Sequence, residues 1–277
     1  MLSAVGRAVH ADGPPPHALS DSLARDLAGP EGAEIEATLR ARLSPAQLMS
    51  FSRWTSVRAR FVEDLVESAL ADGLDQYVIL GAGLDSFAYR RPDLLGTLRV
   101  FEVDHAATQA WKRRRLTSLQ VETPRGVSFV PVDFERETFE RALVRAGFDP
   151  GQPAAVSWIG VTMYLTLDAV EQTLATLGAL AAGSRIAITY DLPPGALAGT
   201  QLGVRDVLAA LVSELGEPFL TMFEPDQAEL LLRRMGFDNI VHFGPADAVR
   251  VYFGGRGGFE VGGAQRLLAA TLAAAPA

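Results

Sequence analysis

The sequence predicts an α/β fold: a mostly parallel sheet of seven strands with an N-terminal helical cap. Three observations lead there. From Tyr77 onward, short apolar runs alternate with helical patterns, the rhythm of strand-helix-strand units. The first run ends in a glycine turn, as ligand-binding parallel sheets often do. Two short β-rich runs close the pattern around the turn-prone Gly244-Pro245-Ala246-Asp247.

The elements follow in order. Residues 1–72 read as helices interrupted at Pro14-Pro15-Pro16 and Gly29-Pro30, a cap preceding a core of residues 73–277. Five parallel strands are expected at Tyr77–Leu80, Arg99–Val103, Val127–Val132, Ala155–Ile159 and Arg185–Tyr190, each rich in Val, Ile, Phe or Tyr. Residues 192–222 form an insertion placed to cover a cleft as a lid, since ligands of open α/β sheets bind beyond the carboxyl ends of the strands. Ala228, Leu231, Leu232 and Met235 have helical spacing that stops at Gly236. Asn239–Phe243 and Val249–Phe253 are expected as an antiparallel edge pair.

Composition narrows the function. A net charge of −8 supplies no positive field for a phosphate backbone, so nucleic acid is not the expected partner. The absence of cysteine rules out disulfides, thiolate metal sites and a cysteine nucleophile. The long uncharged stretch Pro150–Leu167 is broken by prolines and by Gln152, Ser157 and Thr162, so no membrane span is expected. Met1–Pro16 carries Arg7, His10 and Asp12 and lacks a secretory apolar core, and the expected location is cytoplasmic.

The chemistry-bearing residues cluster after the strands. Gly81-Ala-Gly83 follows the first strand, where missing β-carbons let a nucleoside approach the backbone. Ser86 stands where a dinucleotide fingerprint wants a third glycine, and no Gly-Lys-Ser/Thr phosphate loop is present. Asp104, with Glu102 as the alternative, ends the second strand about twenty residues later, where a carboxylate can accept both ribose hydroxyls. Asp133 and Phe134 end the third strand, an acid and an aromatic suited to an adenine or, alternatively, to capping the next helix. Arg58 lies on the apolar stripe of its helix with Phe61, Val62, Leu65, Val66 and Ala69, so it needs an anionic partner, from a ligand or from a buried acid. Arg60 instead shares the polar face. The basic run Lys112–Arg115 reads as a solvated helix face.

Taken together, Gly81-Ala-Gly83-Leu-Asp85-Ser-Phe, Phe101-Glu-Val-Asp104, Asp133-Phe134 and Gly160-Val-Thr-Met-Tyr164-Leu resemble, in that order, the leucine carboxyl methyltransferase family of class I S-adenosylmethionine-dependent methyltransferases. The resemblance spans about residues 50–255 and implies a doubly wound seven-stranded sheet with an antiparallel hairpin at one edge. It implies S-adenosylmethionine as cofactor and S-adenosylhomocysteine as product. It also implies Arg58 on the methionine carboxylate, Gly81 and Gly83 along the cofactor, Asp104 on its ribose, and Asp133 with Phe134 at its adenine. Phe134 stands where a leucine is common, and Ile159 where many members carry a Glu that holds the methionine end.

On this basis the expected activity is methyl transfer to a carboxylate or hydroxyl oxygen of a small organic molecule, in secondary metabolism. A carboxylate acceptor needs no base, whereas a hydroxyl does. Tyr164, Tyr190 and Asp191 are the pocket candidates, with His10 and His17 as further groups that could face it. The four histidines have no metal-like spacing, and no metal is expected. The rival readings are an NAD-linked oxidoreductase on a related sheet, against which Ser86 speaks, and a non-catalytic homologue, suggested by Ile159 alone.

Overall fold

The computed structural model describes residues 1–136, 138–255 and 259–274. Helices α1 (Leu2–Ala11), α2 (Ala24–Arg42) and α3 (Pro45–Ala71) precede the first strand. Strands β1 (Gln76–Leu80), β2 (Arg99–Asp104), β3 (Val127–Pro131), β4 (Ala155–Trp158) and β5 (Arg185–Asp191) are linked through α4 (Phe87–Arg90), α5 (Ala106–Ser118), α6 (Glu140–Arg145) and α7 (Leu167–Gly178). After β5 come α8 (Gly199–Glu214), α9 (Pro225–Arg234), β6 (Phe237–Phe243), α10 (Pro245–Tyr252) and β7 (Gln265–Leu272).

The sheet order is β3-β2-β1-β4-β5-β7-β6, with β7 antiparallel to both neighbours and the first five strands parallel. The chain winds one way from β1 to β3 and then returns to place β4 on the other side of β1. A crevice therefore opens between β1 and β4 at their carboxyl ends. Both sheet faces are covered, and the alternation along β1 records this: Val78 and Leu80 enter one core with Val170 and Leu174 of α7, while Tyr77 and Ile79 enter another with Val62 and Val66 of α3.

One expected element is corrected. Val249–Phe253 is not a strand; it belongs to α10 and its C-cap, and the seventh strand is Gln265–Leu272. The reason is local chemistry at the turn. Pro245 sits at the first helical position, the Asp247 carboxylate accepts the Gly244 N–H at 3.1 Å, and Arg250 pairs with Asp247 one turn on at 2.9 Å. The turn-prone residues thus start a helix, and the hairpin partner of β6 comes later. Its Ala269-Ala270 carries little strand propensity and is held by pairing, Ala269 to both Ala187 and Val241 and Ala270 to Ile186.

Helix α3 starts at a Ser44/Gln47 capping box with Pro45 behind it, which fixes its axis and therefore the direction of its buried face. Arg60 pairs with Asp64 at 2.6 Å on the polar face, as expected. The cap residues Val5, Val9, Leu39, Leu48 and Phe51 share a cluster with Val204 and Leu211 of α8, so the segment after β5 packs on the N-terminal helices above the crevice. Helix α2 is broken at Gly29, whose φ of 64° no β-branched residue adopts readily.

Lys112 corrects the reading of the basic run. It is buried, and its Nζ lies 2.6 Å from a Glu102 oxygen and 2.6 Å from the Asp85 carbonyl. Glu102 therefore holds α5 against the sheet and the turn after β1, and it does not face the crevice. Burial raises the Glu102 carboxyl, and Lys112 opposes that shift.

Candidate active site

The turn after β1 is built by backbone capture. The N–H groups of Gly81 and Ala82 donate to the Val103 carbonyl at 2.8 and 3.1 Å, tying the turn to the end of β2. The Gly83 N–H donates to Asp104 Oδ2 at 2.5 Å, and the His105 N–H to Asp104 Oδ1 at 2.6 Å. Asp104 is thus held in place with its carboxylate half-exposed at the strand end. Gly81 and Gly83 have φ of 66° and 47°, and a Cβ on Gly81 would lie 2.2 Å from Val161 Cγ2. Gly81→Ala is accordingly expected to cost about 1–3 kcal/mol of stability, measurable as a lower urea midpoint.

A buried ionic network supports the same turn from below. Arg7 of α1 pairs with Asp21 at 2.7 Å and donates to the Leu84 carbonyl at 2.8 Å. The Ser86 hydroxyl donates to Asp21 at 2.5 Å, and Arg90 Nε donates to Ser86 Oγ at 2.9 Å. Arg90 also pairs with Glu63 of α3. Ser86, the residue that departs from a dinucleotide fingerprint, is here a buried link between cap and turn.

Three adjoining cavities lie above the strand ends. The first, about 140 Å³, is lined by Arg58, the glycine turn, Ile159 and Gly160. The second, an open groove of about 470 Å³, meets the first at Gly81 and is lined by Asp104, Asp133, Phe134, Val161 and Tyr164. The third, about 60 Å³, shares Arg58 and Gly160 with the first and Tyr164 with the groove. Its remaining walls include Phe51, Trp54, Met163, Leu208 and Phe219, with Asp191 and Arg205.

Arg58 is 4% exposed, and among the described residues no carboxylate lies within 4.0 Å of it. Its Nη2 donates to Ser3 Oγ at 2.9 Å, Gln265 accepts from Nη1, and Nε has no partner. Burial lowers its pKa to about 10, a shift that Asp191 opposes. A desolvated guanidinium with a free N–H beside a glycine turn has the chemistry to hold a carboxylate. Gly160, at φ 74°, allows the approach: a Cβ there would stand 3.4 Å from Arg58 Nη1.

The remaining predicted residues divide. Asp133 Oδ1 accepts the Glu135 N–H at 3.1 Å and Oδ2 pairs with exposed Arg136 at 3.3 Å, so part of its carboxylate closes the turn after β3. Phe134 lines the groove and meets Phe139 edge-on at 6.4 Å. Tyr164 stands between groove and third cavity, 5.5 Å from the Phe219 ring, with its phenol pushed up by burial, Glu217 and Asp191.

Tyr190 is corrected from pocket candidate to core residue. It is 2% exposed and packs with Ile188 and Leu268, because successive strand residues face opposite sides and only Asp191 faces the crevice. His10 likewise lies in the cap, where its Nε2 accepts the Ala18 N–H at 3.1 Å and its ring meets His17 edge-on. Burial, His17 and Arg53 lower its pKa to about 4.

Sequence reasoning missed Trp54, Arg205 and Gln265. Trp54 could have been found, since it lies one helical turn before Arg58 on the same face of α3. Arg205 and Gln265 reach the site only through the lid and the antiparallel strand. Among the described residues, no group of three His, Asp or Glu side chains is arranged to hold a metal ion, and no helix is long and apolar enough to cross a membrane.

Comparison with known proteins shows the family. The family model for leucine carboxyl methyltransferase matches residues 1–178. A Bacillus subtilis (strain 168) protein named as an S-adenosyl-L-methionine-dependent methyltransferase, YktD, is 30% identical over 92% of this chain and 91% of its own length. A Mycolicibacterium vanbaalenii protein of the same designation is 30% identical over 96% of this chain and 83% of its own. For the fold, the crystal structure of a Streptomyces avermitilis DUF574 family protein aligns with a TM-score of 0.65 at 17% identity, covering 98% of this chain and 97% of that one. A Thermobifida fusca structure aligns at 0.62 and 18% identity, covering 98% and 94%. The chain belongs to the leucine carboxyl methyltransferase family of S-adenosylmethionine-dependent methyltransferases.

Proposed function

We propose that the chain methylates an oxygen of a small organic molecule, using S-adenosylmethionine laid across the first cavity and the groove. The observation that carries this reading is the line from the buried guanidinium of Arg58, with no carboxylate within 4.0 Å among the described residues, past the glycine turn, to Asp104 and then Asp133–Phe134. In this reading Arg58 binds the methionine carboxylate, and Gly81 and Gly83 give the cofactor close passage. Asp104 accepts the ribose hydroxyls, and Asp133 and Phe134 border the adenine. The cap of residues 1–72 and the lid of residues 192–222 close the acceptor side.

When bound, S-adenosylmethionine supplies a methyl group already activated on a cationic sulfur, so the protein's task is alignment and exclusion of water. Arg58 compensates the tail and Asp104 fixes the sugar, which together set the direction in which the methyl points. Ile159 replaces the acid that many relatives place near the methionine end; it lines the first cavity and packs with Tyr77 and Ile79. The amino group then needs a backbone carbonyl or another acid.

Thermal-shift measurements with S-adenosylmethionine, S-adenosylhomocysteine and NAD⁺ test the reading. Stabilisation by both adenosyl compounds and none by NAD⁺ is expected. Stabilisation by NAD⁺ alone would favour a dehydrogenase.

A further inference from the structure

The acid facing the third cavity bears on the methyl acceptor. Asp191 ends β5, is 4% exposed, and its Oδ1 has no hydrogen-bond partner among the described residues. Trp54 Nε1, on another side chain lining the same cavity, is also buried without a partner. The cavity therefore pairs an unused acceptor with an unused donor in an enclosure that also holds Arg58 and Arg205. A hydroxyl both donates and accepts, so it offers each of these groups the kind of partner it lacks.

The alternatives match less well. A carboxylate cannot donate to Asp191 and would bring a second negative charge beside it. An ammonium would enter a space that also holds the Arg205 guanidinium, and it has no lone pair with which to accept from Trp54. The volume, about 60 Å³ where one water needs about 10–15 Å³, admits the hydroxyl-bearing end of a compact ring, and Phe51, Trp54 and Phe219 offer aromatic walls.

We propose that the third cavity takes a small phenol as methyl acceptor and that Asp191 Oδ1 accepts the phenolic proton. This rests on the methyltransferase reading above and narrows it from carboxylate or hydroxyl to hydroxyl. The phenol oxygen forms the new bond to the methyl carbon, and the carbon–sulfur bond breaks with its electron pair left on sulfur. The phenolic proton passes to Asp191 and from there to solvent.

The charges around Asp191 are compatible with that role. Burial raises its pKa to about 6, while Gln265 and the charges of Arg58, Arg205 and Arg266 hold it down. Tyr164 is the other titratable group facing it, and its own pKa is raised, so it is neutral at pH 7. Asp191 is thus an ionised, weakly solvated carboxylate above pH 6, the state a proton acceptor needs.

The test uses protein saturated with S-adenosylhomocysteine and three probes of one shape: 4-methylphenol, 4-methylbenzoate and 4-methylbenzylamine. Binding of each is followed by ligand-observed NMR at pH 8. Wild-type protein is expected to bind the phenol at least tenfold more tightly than either other probe, and Asp191→Asn to reduce that preference to less than threefold. With S-adenosylmethionine, the variant is expected to lose at least 100-fold in transfer to 4-methylphenol while its S-adenosylhomocysteine affinity stays within twofold.

A folding readout accompanies it. A carboxyl raised in the folded state penalises stability as pH rises through about 6, so Asp191→Asn should melt higher than wild type at pH 8 and gain less at pH 4. Preference for the benzoate or the amine, or no phenol binding by protein that does bind S-adenosylhomocysteine, overturns the acceptor assignment alone. Failure to bind S-adenosylhomocysteine overturns the methyltransferase reading and this inference with it.

Discussion

Replacing Asp21 with Ala is expected to remove about 3–5 kcal/mol of folding stability, a large share of the roughly 5–15 kcal/mol that holds a domain together. Asp21 is 1% exposed and receives Arg7 at 2.7 Å and the Ser86 hydroxyl at 2.5 Å, with Arg90 Nε at 3.7 Å. Its loss leaves two guanidinium groups buried beneath the glycine turn, of which Arg7 has no other carboxylate within 4.0 Å among the described residues. Burial alone would raise this carboxyl, but Arg7, Arg90 and Ser86 together hold it below its ordinary value. Its contribution is therefore present above the ordinary carboxylate range near pH 4 and fades as pH falls through the lowered folded value. Urea unfolding at pH 7 and pH 3 checks both points: the wild-type advantage over Asp21→Ala should be large at the first pH and reduced at the second. Equal midpoints at pH 7 would mean that the network does not hold cap to turn.

Arg58→Met is expected to act in opposite directions on folding and on binding. A cation buried without an acid partner costs desolvation energy that methionine does not, so the fold should be as stable as wild type or more so. Binding of S-adenosylhomocysteine should weaken at least about 100-fold, some 2.8 kcal/mol, because truncating one side of a buried charge pair leaves the ligand carboxylate uncompensated. Paired melting curves and calorimetry separate this from a structural role, which would lower both together. A site kept at a cost to stability is what a binding residue looks like.

The core of the sheet and the turn and acid that border the crevice were legible because they depend on local order. Five apolar runs, the Gly81–Gly83 turn and the acid ending β2 carry their meaning in spacing alone. Arg58 was legible as a misfit, a charge on an apolar stripe, and the structure places it against the cavity. Properties that depend on distant partners were not. Lys112 looked like one of four surface cations, and only the packing of α5 on the sheet brings it to Glu102. Tyr190 and Asp191 were equal candidates until strand parity assigned one to each face. The edge hairpin was right in kind and wrong in place, because Gly244-Pro245 carries both turn and helix-start chemistry and the sequence alone does not choose between them. Trp54, Arg205 and Gln265 come from three separate elements that converge only in the folded chain.

The most direct measurement is calorimetric titration of S-adenosylhomocysteine into the wild-type protein and into Asp104→Ala. Asp104 lines the groove, which meets the first cavity at Gly81, and is presented by the Gly83 and His105 amides. Binding by wild type and at least tenfold weaker binding by the variant, about 1.4 kcal/mol, is the predicted result. No binding by wild type, or equal affinity in both, would contradict the placement of a nucleoside along this crevice.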